Sequence, residues 1–172
     1  KSTKIEIMDK LYMEIEQILN QISFLSDSSL LKIIAKTQLI KLAKSAIIID
    51  TDKVEKKIYF VKKGILRAYT IDDGKEITFW FGKEGDLILS MRSYIENKVG
   101  YETIESMEDC ELYEIKMSDL QEFYATNLEI ANWGRKLAEI ELIKTEERFI
   151  SRQLGTAIDR YKKLLIENPS LI

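Results

Sequence analysis

The 172-residue chain contains no histidine, one cysteine and one proline. Without histidine the commonest general base is missing, together with every Ser-His-Asp or Cys-His arrangement and the usual zinc and haem ligand sets. Cys110 alone forms no internal disulfide and holds no iron–sulfur cluster, which needs several thiolates. No apolar run approaches the roughly 18 residues of a membrane span, and the first residues lack the apolar core of a signal peptide. There is no basic excess either: a net charge of −3 with 32% charged residues describes a solvated surface rather than a polybasic nucleic-acid binder. No nucleophile–base pair and no phosphate-cradling glycine loop is present. The expectation is a cytoplasmic, non-enzymatic binding module with no metal, no resident cofactor and no membrane partner.

What is present suffices for a core, with 45% apolar residues in a length that fits one domain plus appended helices. Met8, Leu11, Ile15, Ile18 and Ile22 recur at spacings of three and four, the stripe of a helix. Asp27 or Ser28 is placed to cap a second, short helix carrying Leu30, Leu31, Ile33 and Ile34. From about Ala46 the pattern turns to short β-branched and aromatic runs. Asp72-Asp73-Gly74-Lys75 predicts a tight hairpin turn joining a strand at Ile65–Ile71 to one at Glu76–Phe81. In the latter, Ile77, Phe79 and Phe81 are expected on one face, Thr78 and Trp80 on the other. Further strands are expected at Asp86–Leu89, Glu102–Met107 and Cys110–Lys116, which makes a small all-β roll or barrel.

The helical period returns at Ser118, a predicted N-cap with Gln121 three residues on and Leu120, Phe123 and Tyr124 as apolar contacts. A longer helix is expected over Leu128–Phe149, with Ile130, Trp133, Leu137 and Ile140 on one stripe and Ala131, Ala138 and Leu142 on a neighbouring one. Two apolar stripes exceed what one small roll needs, and a helix of about 20 residues spans about 30 Å. Part of it should therefore protrude and bury a stripe on a second subunit; Ile130, Trp133, Leu137 and Ile140 are assigned to that homodimer contact. After Gly155, a last helix with Ile158, Tyr161, Leu164 and Leu165 is expected to end before Pro169. Trp80 and Trp133 read as packing residues, and Cys110, flanked by Asp109 and Glu111, as an inert thiol.

The order of these elements resembles the Crp/Fnr family of bacterial transcription regulators over almost the whole chain. The stretches carrying the likeness are "IYFVKKGILRAYTIDDGKEITFWFGKEGD" (Ile58–Asp86), "YETIESMEDCELYEI" (Tyr101–Ile115) and "ERFISRQLGTAIDRYKKLLIENPSLI" (Glu147–Ile172), and together they look most like the Bacteroidetes branch. The resemblance implies an α+β fold: a double-stranded β-helix, the jelly-roll-like cyclic-nucleotide-binding fold, with N-terminal helices and a long C-terminal dimerisation helix. It implies a sensor domain over residues 1–126 with its helical cap, then a dimerisation helix and linker helix over 127–172. DNA would be reached only through a C-terminal helix-turn-helix domain that this chain does not include. The alternative is a free-standing module that binds a ligand or protein without touching DNA.

In that family a cyclic nucleotide sits against a cassette in which a Gly-Glu pair holds the ribose, and an Arg followed by Ser, Thr or Ala holds the phosphate. Here those positions are matched by Leu89 and Ser90, and by Gly100 and Tyr101, so the phosphate arginine is missing. From Glu84 to Tyr124, eleven acidic residues stand against Arg92, Lys98 and Lys116, a local field hostile to an anionic phosphate. The expectation is therefore an unknown small-molecule effector other than cyclic AMP, neutral or hydrophobic, or no ligand at all, with Ser90, Arg92, Tyr101 and Thr103 as the candidate pocket.

Overall fold

A computed structural model describes residues 15–154 and, beyond them, 156, 158, 161–162 and 165–166. Met8, Leu11, Gly155 and Pro169, with Leu164 of the last expected helix, lie outside the described residues. Helix α1 (15–22) and helix α2 (Asp27–Ala35) precede eight strands. These are β1 (Thr37–Leu42), β2 (Ile47–Ile49), β3 (Lys57–Lys63), β4 (Leu66–Asp72), β5 (Lys75–Gly82), β6 (Leu87–Ile88), β7 (Thr103–Ser106) and β8 (Cys110–Lys116). Helix α3 (Met91–Glu96) lies between β6 and β7, and α4 (Met117–Thr126) and α5 (Leu128–Leu154) follow β8. The strands form two four-stranded antiparallel sheets, ordered β1-β8-β3-β6 and β2-β7-β4-β5, which is the expected jelly-roll-like architecture with N-terminal helices and a long C-terminal helix.

The unbroken apolar run Ile58-Tyr59-Phe60-Val61 in β3 follows from its position. The β1-β8-β3-β6 sheet is covered on both sides, as continuous hydrophobic strands require. Ile58 and Phe60, with Tyr113 and Ile115 of β8, face the helices and pack with Ile15, Leu19, Leu30, Ile33, Leu120 and Trp133. Tyr59 and Val61, with Cys110 and Leu112, face the other sheet and meet Ile49, Leu66, Ala68, Ile88 and Ile104. The molecule thus has two cores that share one sheet.

The hairpin turn forms as expected, with positive φ at both Asp73 (48°) and Gly74 (74°), the requirement of a two-residue type I′ turn. The strict alternation expected in β5 does not hold. The register shifts where Ala68 pairs with Trp80 but Tyr69 pairs with Thr78, so Phe79 is bulged out of the ladder. Phe79 and Trp80 consequently both pack on the inter-sheet core. Strand β1 was not expected at all: Thr-Gln-Leu-Ile-Lys-Leu follows α2 with no glycine or proline between them. It pairs along its whole length with β8, from Thr37↔Ile115 to Leu42↔Cys110.

Two predicted caps are corrected. Helix α2 begins at Asp27 with Ser26 before it, and no side chain caps it. Ser26 instead turns to α5: its N–H donates to Glu129 Oε1 at 2.8 Å and its Oγ to Glu129 Oε2 at 2.6 Å. Helix α4 begins at Met117 rather than after Ser118, and the Met117 N–H finds the Lys56 carbonyl at 2.9 Å. The cap that matters is Asn127. Its N–H closes α4 on the Phe123 carbonyl at 2.8 Å while its Oδ1 accepts from Ile130 N–H at 3.1 Å, starting α5.

Candidate functional site

Helix α5 leaves Asn127 with its first stripe turned inward. Ile130, Trp133 and Leu137 are buried in the helix-side core; Trp133 donates its indole N–H to the Leu19 carbonyl at 2.9 Å and meets Phe60 edge-on. These three side chains, assigned from sequence to a subunit contact, fill the chain's own core, and Ile140 beyond them is half-buried. A period of 3.6 does not say which surface it faces, and the β1-β8-β3-β6 sheet claims this stripe because its outer face is itself apolar. Apart from Leu128 at its start, what α5 leaves bare lies further on: Leu142, Ile143, Phe149, Ile150 and Leu154 are all exposed.

Between α5 and the β2-β7-β4-β5 sheet lies a cavity of about 380 Å³, within the usual range for small-molecule sites. Ala68, Phe79, Trp80, Leu87, Leu89, Met91 and Ile104 form its apolar walls, and α5 closes it with Glu141, Thr145, Arg148 and Phe149. Those four residues are spaced i, i+4, i+7 and i+8, one face of a helix. Glu102 completes the lining from the loop before β7. Glu141 is compensated by Lys144 at 2.9 Å, and Lys144 also reaches Asp86 at 3.2 Å, tying α5 to the turn before β6.

The four expected pocket residues surround this cavity without lining it. Ser90 is fully buried, and its Oγ has no hydrogen-bond partner. Arg92 stacks its guanidinium 4.8 Å from the Tyr101 ring and pairs with Glu96 at 3.6 Å; Tyr101 itself is 69% exposed. Thr103 is buried, with the Tyr69 phenol as its hydrogen-bond partner. The expectation is one residue out of phase: Leu89 and Met91 flank Ser90, and Glu102 and Ile104 flank Thr103. In extended chain, neighbours point to opposite faces. The α5 contribution was missed because its stripe is mostly polar, whereas the helix was read through its apolar periodicity.

The matched phosphate position has no room for a side chain. A Cβ on Gly100 would collide with Ser90 Oγ. The acidic surplus of the segment is also less hostile than its sequence tally, because cations from other elements reach in. Lys41 and Lys62 pair with Glu111, Lys57 with Glu114, Arg67 with Glu105 and Lys36 with Asp119. Cys110 is buried, and burial is the main cause pushing its thiol up, partly opposed by hydrogen bonds to the Glu108 and Ile65 carbonyls and reinforced by the Glu108 and Asp109 charges. It is an unreactive core residue. Among the described residues no group of His, Cys, Asp and Glu side chains is placed to hold a metal ion, and no helix is long and apolar enough to cross a membrane.

The two-sheet roll thus carries an apolar cavity against its long C-terminal helix. The chain belongs to the cyclic nucleotide-binding domain family, whose model matches residues 39–127, just over half of its length. Its fold is similar to that of a cyclic nucleotide-binding domain from Methylobacillus flagellatus KT (TM-score 0.74, 15% identity, 87% of this chain and 88% of that one). It is also similar to a candidate Crp/Fnr-family transcriptional regulator from Eubacterium rectale (TM-score 0.69, 21% identity, 86% of this chain and 69% of that one). The cAMP-bound regulatory domain of Toxoplasma gondii PKA matches at TM-score 0.60 and 23% identity over 65% of this chain, which spans 44% of that protein's length. No curated protein matches the chain in sequence. At these identities the likeness is one of fold.

Proposed function

We propose that the chain is the effector-sensing and dimerising portion of a Crp/Fnr-type DNA-binding transcription regulator, non-enzymatic, that takes an apolar small molecule in place of cyclic AMP. The observation that carries this reading is that one stretch of α5 is both cavity wall and bare apolar surface. Glu141, Thr145, Arg148 and Phe149 line the cavity, and Leu142, Ile143 and Ile150 of the same turns are exposed. A molecule filling the cavity presses directly on the helix that pairs two subunits, and so biases the geometry passed to a DNA-binding domain. Against a cyclic nucleotide stand the apolar walls, the blocked position at Gly100 and the engagement of Arg92 with Tyr101 and Glu96.

Calorimetric titration with cyclic AMP and cyclic GMP tests the ligand class, and no binding heat is expected from either. Micromolar affinity for either one would overturn the exclusion of cyclic nucleotides. Light scattering should return the mass of a dimer; a monomer across the accessible concentration range would remove the helix-pairing route.

A further inference from the structure

The cavity lining holds four polar side chains, and three of them are occupied. Glu141 pairs with Lys144. Thr145 donates its hydroxyl to the Glu141 carbonyl at 2.8 Å. Glu102 turns its carboxylate back on its own loop, where Oε2 accepts from the Tyr101 N–H at 3.1 Å and Oε1 faces Gly100. Arg148 differs. Its NH2 donates to Thr145 Oγ1 at 2.9 Å and its guanidinium lies 5.8 Å from the centroid of the Trp80 ring. No carboxylate among the described residues pairs with it. An arginine has five donors in a planar fork and stays protonated at any physiological pH. Among the described residues one of the five is used, by a hydroxyl that is itself oriented, and the guanidinium lies within cation–π range of the Trp80 ring.

We infer that Arg148 is the head-group site of this cavity and that the ligand is a small apolar monocarboxylate, its acid on the guanidinium and its hydrocarbon body against Trp80, Leu87, Leu89 and Ile104. This inference rests on the apolar-ligand reading above and deepens it. The chemistry is complementary at both ends: a carboxylate accepts two parallel N–H bonds from an arginine fork, and the walls away from α5 are hydrocarbon and aromatic apart from Glu102, whose carboxylate is turned on its own loop. A cationic ligand would meet the Arg148 guanidinium, with Lys144 one helical turn before it.

The probes are decanoate, decanol and decylamine, titrated calorimetrically into the full chain and into Arg148→Gln, with circular dichroism melts showing that the variant folds as the parent does. Decanoate should bind the parent about tenfold or more tightly than decanol, the range of a charge-assisted hydrogen bond. Arg148→Gln should remove that advantage and leave decanol unchanged, while Arg148→Lys should restore part of it. If decanoate and decanol bind equally and the variant alters neither, the head-group assignment is wrong while the apolar pocket stands. A preference for decylamine would also overturn it, in favour of Glu102. If none of the three binds, the apolar-ligand reading fails, and this one with it.

Discussion

Helix α5 behaves as two different structures joined end to end. From Ile130 to Leu137 one face of it is part of the core, after a start set by Asn127 and a clamp of Glu129 on Ser26, and it is sunk into the roll by Ile130, Trp133 and Leu137. From Glu141 to Leu154 its apolar residues are mostly in the open, and its tie to the roll outside the cavity is the Lys144–Asp86 pair. At 1.5 Å per residue the 27-residue helix is about 40 Å long, so the second half reaches well past the last core contact. The anchored half fixes where the helix points. The weakly held half walls the cavity, and elements that move with a ligand are drawn from the low-stability end of a fold.

The contrast is sharpest under truncation. Trp133→Ala removes a fully buried indole, its bond to Leu19 and its edge contact with Phe60, and is expected to cost about 3–5 kcal/mol in urea unfolding. Leu142, 70% exposed, should tolerate even a charge: Leu142→Glu is expected to keep the parent's circular dichroism yet shift its light-scattering mass from dimer to monomer. A variant that unfolded instead would mean that the two halves of α5 do the same job; one that stayed dimeric would place the pairing surface elsewhere.

Much of the strand and helix content was readable because the period changes from 3.6 to 2 near Ala46 and back near Ser118, although β1 at Thr37–Leu42 precedes that change. What the sequence does not carry is the choice of partner for each face. Ile130, Trp133 and Leu137 have the spacing of a subunit seam and the environment of a core, and only the apolar outer face of β3 and β8 decides between them. The same limit explains the pocket. Ser90 and Thr103 lie in the right segments, but a one-residue error of phase in extended chain exchanges the cavity for the opposite face. Phe79 breaks alternation through a bulge that no residue type announces. Arg148 was hidden because the rest of the lining outside α5 ends at Ile104, and because it acts through a helix read for its hydrophobic residues alone.

The anchored half should also respond to acid. Hydrogen bonds from the Ser26 side chain, then from Ser29 and the Ser26 backbone, hold the Glu129 carboxyl below its ordinary 4.5. A group depressed in the folded state stabilises the fold above its unfolded value, and that contribution disappears as pH falls through the folded one. The urea midpoint of the parent should therefore exceed that of Glu129→Gln at pH 7, and the gap should close below about pH 4.5. A gap that persists unchanged into acid would show that the glutamine makes a steric difference, and that the ionised clamp is not what holds the start of α5.

The smallest effect on stability should come from the tie of the other half. Lys144→Ala breaks the contacts with Asp86 and Glu141. Partly exposed pairs of this kind contribute about 0–1 kcal/mol, so the global unfolding midpoint should barely move. Local opening should change more, because the residues after Glu141 have few other contacts to hold them to the roll. Amide exchange ought to accelerate over 141–154 and stay as it was over 128–137, where opening requires extracting Trp133 from the core. Equal acceleration along the whole helix would make α5 one cooperative unit. A ligand pressing on Arg148 and Phe149 would then strain the core itself, and the division of the helix into anchor and lever would fail.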